Sequence, residues 1–437
     1  MRIALRWLTF AALLGAASPA HASPLSELAA SLEPGEWGSL ETLEIDAVLA
    51  ANGASGIHIP YSEDIVWDPD SQRLIFVGGD HDDIADLITY SESTNTWARL
   101  ERPAWIPGNT MHGYDHSAID PGRRFFYHRP FANNVVHRYD LDAGTWSELP
   151  APADNGTSCC DALEFFPELD AILWAHHSYG ELWSFSEATQ AWTLLDTLPN
   201  GDTWQVAEYN PIHHVVVFAY ADTLYQLDAE GTITPLGSLG VPIYDGSGYN
   251  GVLTVDPVSG DYLVSTPGTN NRTFHVYDVV ANAWAELPTQ PGLELSTTAM
   301  VATPIASYGV TAFVHCKSAT PCGVLIYKHA PLPIPPGTTS GADEGGSDSE
   351  GTAGDSGAAE SSDAETAAEL DGGTAAETTS QTAEGSGSSA DAPANDDDDA
   401  GSGCGCTSSP APAWSVLAWL LLTVDPRRKR SPFRARA

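Results

Sequence analysis

Residues 67–80 read WDPDSQRLIFVGGD: an Asp-Pro pair (Asp68, Pro69), four consecutive apolar residues (Leu74, Ile75, Phe76, Val77) and two glycines (Gly78, Gly79). Asp before Pro is turn chemistry, because the carboxylate accepts from the backbone two residues on while the ring presets φ at the next position. The apolar run that follows, rich in β-branched and aromatic residues and bounded by turn signals, has the pattern of a strand buried on both faces. One hairpin decides no fold. Its recurrence does.

The same order returns as IDPGRRFFY, FFPELDAILWA, YNPIHHVVVFA, VDPVSGDYLVS and ATPIASYGVTAFV, with turn prolines at Pro121, Pro167, Pro211, Pro257 and Pro304. Successive prolines are 52, 46, 44, 46 and 47 residues apart. A second marker keeps the same spacing, an aromatic in a later strand at Tyr90, Tyr139, Phe185, Tyr225, Tyr277 and Tyr327. A third follows it: Trp97, Trp146, Trp192 and Trp284 each precede a leucine by three residues, and Ile233 takes the tryptophan's place in TITPL. The sixth unit has no such segment after Tyr327, whereas EWGSL (Trp37, Leu40) stands before the first unit with no unit of its own. Units of four short strands at this period are propeller blades. The predicted fold is therefore all-β, a six-bladed propeller over residues 36–330 in which the N-terminal strand completes the last blade.

Four apolar residues, a Gly-Gly pair, a later Tyr and a Trp beyond it resemble the kelch repeat, matched in order by Leu74 to Val77, Gly78, Gly79, Tyr90 and Trp97. Only the first unit carries the double glycine, so the resemblance is to a divergent kelch-type propeller. It implies the fold and leaves function open, since such propellers include adhesion and binding modules as well as copper oxidases.

The ends have other compositions. Residues 1–22 carry Arg2, Arg6, the apolar WLTFAALLGAA and a small-residue AHA before Ser23, the order of an export signal peptide. Residues 23–35 read as a linker. Residues 331–403 are Gly, Ser, Thr, Ala, Asp and Glu with few large apolar side chains, the composition of a disordered, self-repelling acidic stalk. The formal net charge is -40 and argues against nucleic acid as a partner. Residues 404–437 hold Cys404 and Cys406, an apolar segment from 411 to 424 expected to be a short helix, and the basic RRKR at 427–430. This order resembles the tripartite C-terminal sorting tags called MYXO-CTERM. The resemblance implies engagement of the membrane before processing near Cys404 and Cys406, then delivery to the cell surface or outer membrane. The apolar segment is shorter than the roughly 20 residues that span a bilayer comfortably, and a permanent anchor is the alternative.

Among the propeller cysteines, Cys316 and Cys322 bracket KSATP and are expected to pair, while the adjacent Cys159 and Cys160 have three readings: a vicinal disulfide, two thiols or metal ligands. In a propeller the loops that join blades emerge beside each blade's middle hairpin, around the channel mouth. His58, His81, His112, His116, His128, His176, His177 and His315 fall in or near those loops, and His213 and His214 fall on the other face. Tyr61, Trp105, Tyr114, Trp204, Tyr244 and Tyr249 gather there too.

The ligand-binding candidates are accordingly Tyr114, His116, His128, Cys159, Cys160, His176, Trp204 and Tyr249. Two functions from different classes remain. One is an exported binding or adhesion module, a monomer taking an extracellular protein or glycan and needing no cofactor. The other is a metal-dependent, oxidase-like enzyme with copper or another transition metal on His116, His128 and His176. No catalytic set is assigned. His112 and His116 lie on a loop, where i,i+4 spacing carries no metal signature. The acidic GGDHDDIAD lacks the ordered ligand pattern of a calcium loop and reads as a solvated hairpin tip.

Overall fold

The computed structural model describes residues 22–51, 56–80, 84–106, 112–131, 133–152, 160–176, 180–198, 205–220, 223–244, 250–267, 272–288, 298–317 and 321–331. Residues 1–21 and 332–437, on which the expected signal peptide, nearly all of the expected stalk and the expected C-terminal tag with Cys404 and Cys406 fall, lie outside them, as do Cys159, Trp204, Tyr249, His81 and His177.

The described chain is a ring of six four-stranded antiparallel sheets. Blade 1 comprises β2 (Val66–Asp68), β3 (Arg73–Gly78), β4 (Asp86–Ser91) and β5 (Thr96–Arg99), paired in that order from the axis outward. Blade 2 follows with β6 (Ser117–Asp120), β7 (Phe125–His128), β8 (His137–Asp140) and β9 (Thr145–Glu148). Blade 3 is β10 (Ala162–Phe166), β11 (Ala171–Ala175), β12 (Glu181–Ser186) and β13 (Ala191–Thr197). Blade 4 is β14 (Gln205–Asn210), β15 (Val215–Tyr220), β16 (Thr223–Leu227) and β17 (Ile233–Ser238). Blade 5 is β18 (Val252–Val255), β19 (Tyr262–Ser265), β20 (Phe274–Asp278) and β21 (Ala283–Leu287). Blade 6 has β22 (Thr298–Ile305), β23 (Val310–Lys317) and β24 (Cys322–Lys328), and its outer strand is β1 (Glu36–Leu40).

The turn prolines do what their recurrence predicts. Asp68, Asp120, Asn210 and Asp256, each just before its proline, accept hydrogen bonds from backbone N–H groups two or three residues on. Three residues beyond the proline the backbone turns left-handed, at Gln72, Arg124, Asp170, His214 and Gly260. Five blades thus share one turn conformation under different side chains, so the fold repeats more regularly than the sequence. Charged groups near these turns tie blades together: Arg123 forks onto Asp170 at 2.6 and 2.7 Å, and Arg124 reaches Asp68.

The Tyr/Phe and Trp markers are cross-strand pairs: Tyr90 faces Trp97, Tyr139 faces Trp146, Phe185 faces Trp192 and Tyr277 faces Trp284. Trp37 faces Tyr327 in the same register, stacked at 4.4 Å. The N-terminal strand therefore closes the ring as a true fourth strand. Blade 4 departs, since its outer pair is irregular and sets Tyr225 against Pro235, with Ile233 opposite Leu227. Ile233 is not the positional equivalent of the tryptophans. Residues 23–35, read as a linker, carry helix α1 (Pro24–Ser31), capped by the Ser23 side chain and burying Leu25 and Ala29. Cys316 and Cys322 are disulfide-bonded across β23 and β24.

Candidate functional site

The loops entering blades 1 to 3 place the described channel-face residues in one packed group. Tyr61 and Tyr114 have left-handed backbones (φ 59° and 41°), a conformation that bulky side chains adopt only when surrounding contacts hold them there. Tyr61 stacks on His112 at 4.2 Å, and the Tyr114 hydroxyl meets His112 Nδ1 at 2.7 Å. Behind them Arg129, 0 % exposed, donates from Nη2 to His116 Nε2 at 2.7 Å and pairs with Asp161 Oδ2 at 3.1 Å. Trp174 Nε1 also donates to Asp161, at 2.7 Å, and the guanidinium lies 5.4 Å from the centre of the Trp174 ring.

Tyr114, His116, His128, Cys160 and His176 are brought together here. His116 lies 5.2 Å from Tyr114 and 6.3 Å from His128, ring centre to ring centre, and His176 lies 5.8 Å from Trp174. All five are buried, so they form the packing beneath a channel mouth and not an open surface. Cys160 is a disulfide cysteine, not a free thiol. Burial, with His137 and Arg129 nearby, keeps His128 well below the usual imidazole range, hence neutral. Among the described residues no group of three His, Cys, Asp or Glu is placed to hold a metal ion. Trp105 extends the group outward along blade 2: it stacks on His128 at 5.8 Å and on His137 at 4.2 Å, and meets Trp146 edge-on at 5.0 Å.

Because Asp161 is buried against Arg129, replacing Arg129 by Met leaves a carboxylate without its cation. Arg129→Met is expected to cost about 3 kcal/mol in urea unfolding. Adding Asp161→Asn should recover part of that loss, and an unchanged midpoint for the single variant would contradict the pairing.

A second group was not singled out in the sequence. Asp64, Asp115, Glu164 and Glu208 come from the entry loops or inner strands of blades 1 to 4 and face one another along the axis. Burial, reinforced by Asp64, pushes the Asp115 and Glu164 carboxyls well above the carboxylate range. Burial does the same to Glu208, with Glu164, Asp64 and Asp115 adding to it. Asp64 is pushed up to about 8 by burial and by Glu63. Glu63 also rises to about 8 through burial, although Asn250 and Arg272 oppose it. No lysine or arginine among the described residues forms an ion pair with any of the four.

Asp64, Glu164 and Glu208 line a cavity of about 250 Å³ on the proline-turn side of the channel. Its remaining wall includes Trp67, Phe165, Tyr209 and turn prolines from five blades. Two of the carboxyls have backbone support: the Ala207 N–H reaches Asp115 Oδ2 at 2.6 Å and the Phe165 N–H reaches Glu164 Oε1 at 2.8 Å. The available signal was an acidic residue inside an apolar inner strand, as in EFFP and EYNP, three residues before the turn proline.

No protein-family model matches the chain, and no curated protein matches it. Among solved structures it is similar to virginiamycin B lyase from Staphylococcus aureus, at 14 % identity over 60 % of this chain and 78 % of that one, with a TM-score of 0.42. A structural-genomics protein of unknown function from Bacteroides thetaiotaomicron is 10 % identical over 68 % of this chain and 73 % of its own, with a TM-score of 0.44. A nidogen/laminin complex matches at 11 % identity over 55 % of this chain and 84 % of that one, with a TM-score of 0.41. At these values none of them informs the chemistry of the site.

Proposed function

We propose that the chain is an exported, kelch-type propeller displayed at the cell surface as a binding or adhesion module, with an extracellular protein as its ligand. The axial cavity carries this reading: residues from five blades line a recess in which three carboxyls pair with no cation among the described residues, and a lysine or arginine side chain from a ligand has the charge and size to fill it. The packed Tyr, His and Arg group around Arg129 keeps the opposite end of the channel rigid, so little ordering is required on binding. The acidic stalk at 331–403 supplies reach from the surface, and the tag at 404–437 engages the membrane until it is processed at Cys404 or Cys406.

A tetra-arginine peptide is the direct probe of the full chain. Binding is expected to weaken with salt, and Glu164→Gln combined with Glu208→Gln should reduce it at least tenfold, since each removes a charge that the guanidinium would meet. Binding unaffected by both substitutions would overturn the assignment of the cavity. One transition-metal ion per chain in the purified protein would instead favour the oxidase-like reading.

A further inference from the structure

Helix α1 starts at Pro24, directly after Ser23, the residue that the export reading makes the first of the mature chain. Beside Ser23 lies Glu92, in the turn between β4 and β5 and only 2 % exposed. Its Oε1 accepts from Ser23 Oγ and from the Tyr308 hydroxyl, the latter at 2.6 Å. Its Oε2 is buried and has no hydrogen-bond partner among the described residues. A buried carboxylate with an unsatisfied oxygen and no cation is costly, and a chain that keeps one has usually to supply the missing charge elsewhere.

The nearest place to supply it is the Ser23 backbone nitrogen. Bond lengths and angles put that nitrogen about 3 Å from its own Oγ, and Oγ already touches Glu92. While residue 22 is attached the nitrogen is an uncharged amide. We propose that hydrolysis of the Ala22–Ser23 bond creates the counter-ion for Glu92, so that removal of the leader completes the seam where the ring closes. Water adds across the peptide bond at a host export peptidase, the leader departs with the Ala22 carboxylate, and Ser23 keeps an α-ammonium. This rests on the export reading of residues 1–22.

Two effects oppose each other at this position. An ammonium next to the first turn of α1 meets the positive end of the helix dipole, an interaction that solvent and salt weaken at an exposed end. The carboxylate it faces is almost wholly buried, where attraction between opposite charges is screened least. The pairing therefore prevails. Its consequence reaches the seam: Leu25 and Ala29 of α1 pack in the same cluster as Leu40, Trp97, Val324 and Ile326, so holding Ser23 in place holds α1 across β1, β24 and blade 1. An uncleaved precursor then has a looser seam than the mature chain, which suits a chain that must cross a membrane before it folds.

N-terminal sequencing of the full chain from an exporting host should find Ser23 first. Full-length chains beginning at Ser23 should then be compared with the same chain acetylated at Ser23 and with one that retains Ala22. Both altered forms are expected to melt about 4 °C lower, and Glu92→Gln should bring all three to the same melting temperature. Equal melting temperatures in the wild-type background, or differences that survive Glu92→Gln, would overturn the clamp while leaving export intact. A first residue other than Ser23, or an exported chain that keeps its leader, would overturn the cleavage and the export reading beneath it.

Discussion

A chain that begins after Leu40 is expected not to form a monomeric ring. Its missing strand, β1, makes five consecutive residue pairs with β24, from Glu36 opposite Lys328 to Leu40 opposite Val324. Trp37 is set against Tyr327, Phe274 and Phe313 at 4.4, 5.1 and 5.2 Å between ring centres. Truncating one large aromatic in such packing costs about 3 kcal/mol, and the deletion adds the lost backbone ladder and the exposure of β24 as a free edge. A domain's whole stability is about 5–15 kcal/mol, so the sum is of the same order as the total. An apolar free edge also pairs with other chains, and oligomers or aggregates should replace the monomer in size-exclusion chromatography. A chain lacking only residues 1–34 is the control, because it keeps the strand and loses α1. Cooperative unfolding of the shorter chain as a monomer, at an undiminished temperature, would refute closure by β1.

Closure was legible because EWGSL stands where a W-x-x-L strand lacks a partner, and Trp37 takes the register against Tyr327 that Trp97 takes against Tyr90. The proline turns were legible for a similar reason: side chain and backbone there interact within a few residues. The carboxyl group was not. Asp64 and Glu208 are 144 positions apart, and an acid in a short inner strand reads as a solvated position until ring closure turns it inward. The histidines were legible by place but not by burial. Their positions in or near the channel-mouth loops say nothing of exposure, and His116, His128 and His176 are each 0 % exposed, because the entry loops of blades 1 to 3 fold inward and bond to one another. Residues 23–35 look like a linker since a single-turn contact such as Ser23 Oγ to the Ser26 N–H, at 3.0 Å, has little signature in composition.

The buried carboxyls set an unusual pH dependence: warming experiments on the empty propeller are expected to show stability falling as pH rises from 6.5 to 8.5. Glu63 and Asp64, pushed up to about 8, and Asp115, Glu164 and Glu208, pushed well above the carboxylate range, hold protons in the folded chain that the unfolded chain has already released. The folded state binds more protons, so stability is fully present below the unfolded carboxyl range and is lost as pH climbs through the folded values. One fully protonated carboxyl contributes about 1.4 kcal/mol per pH unit; these five repel one another and share the loss, for a total on the order of 4 kcal/mol or about 10 °C. The depressed histidines act in the opposite sense, but only at the lower edge of the window, because their contribution is complete once the unfolded imidazoles have lost their protons, above about pH 7.5. His137 and His315, held down to about 4 by burial, and His128 and His275, lowered mainly by burial, contribute stability that is present above the ordinary imidazole range and lost on acidification. Asp86, held at about 2, acts lower still. Glu164→Gln and Glu208→Gln keep the shape and remove the charge, so each should raise the melting temperature at pH 8.5 and flatten the profile. A wild-type profile flat across the window would mean that the carboxyls are ionised and compensated. Filling the cavity with the tetra-arginine peptide should reverse the dependence, because a cation draws the carboxyls down and expels their protons. Binding should then tighten as pH rises and release protons, read by calorimetry in buffers of different ionisation enthalpy, over the same range in which the empty propeller weakens.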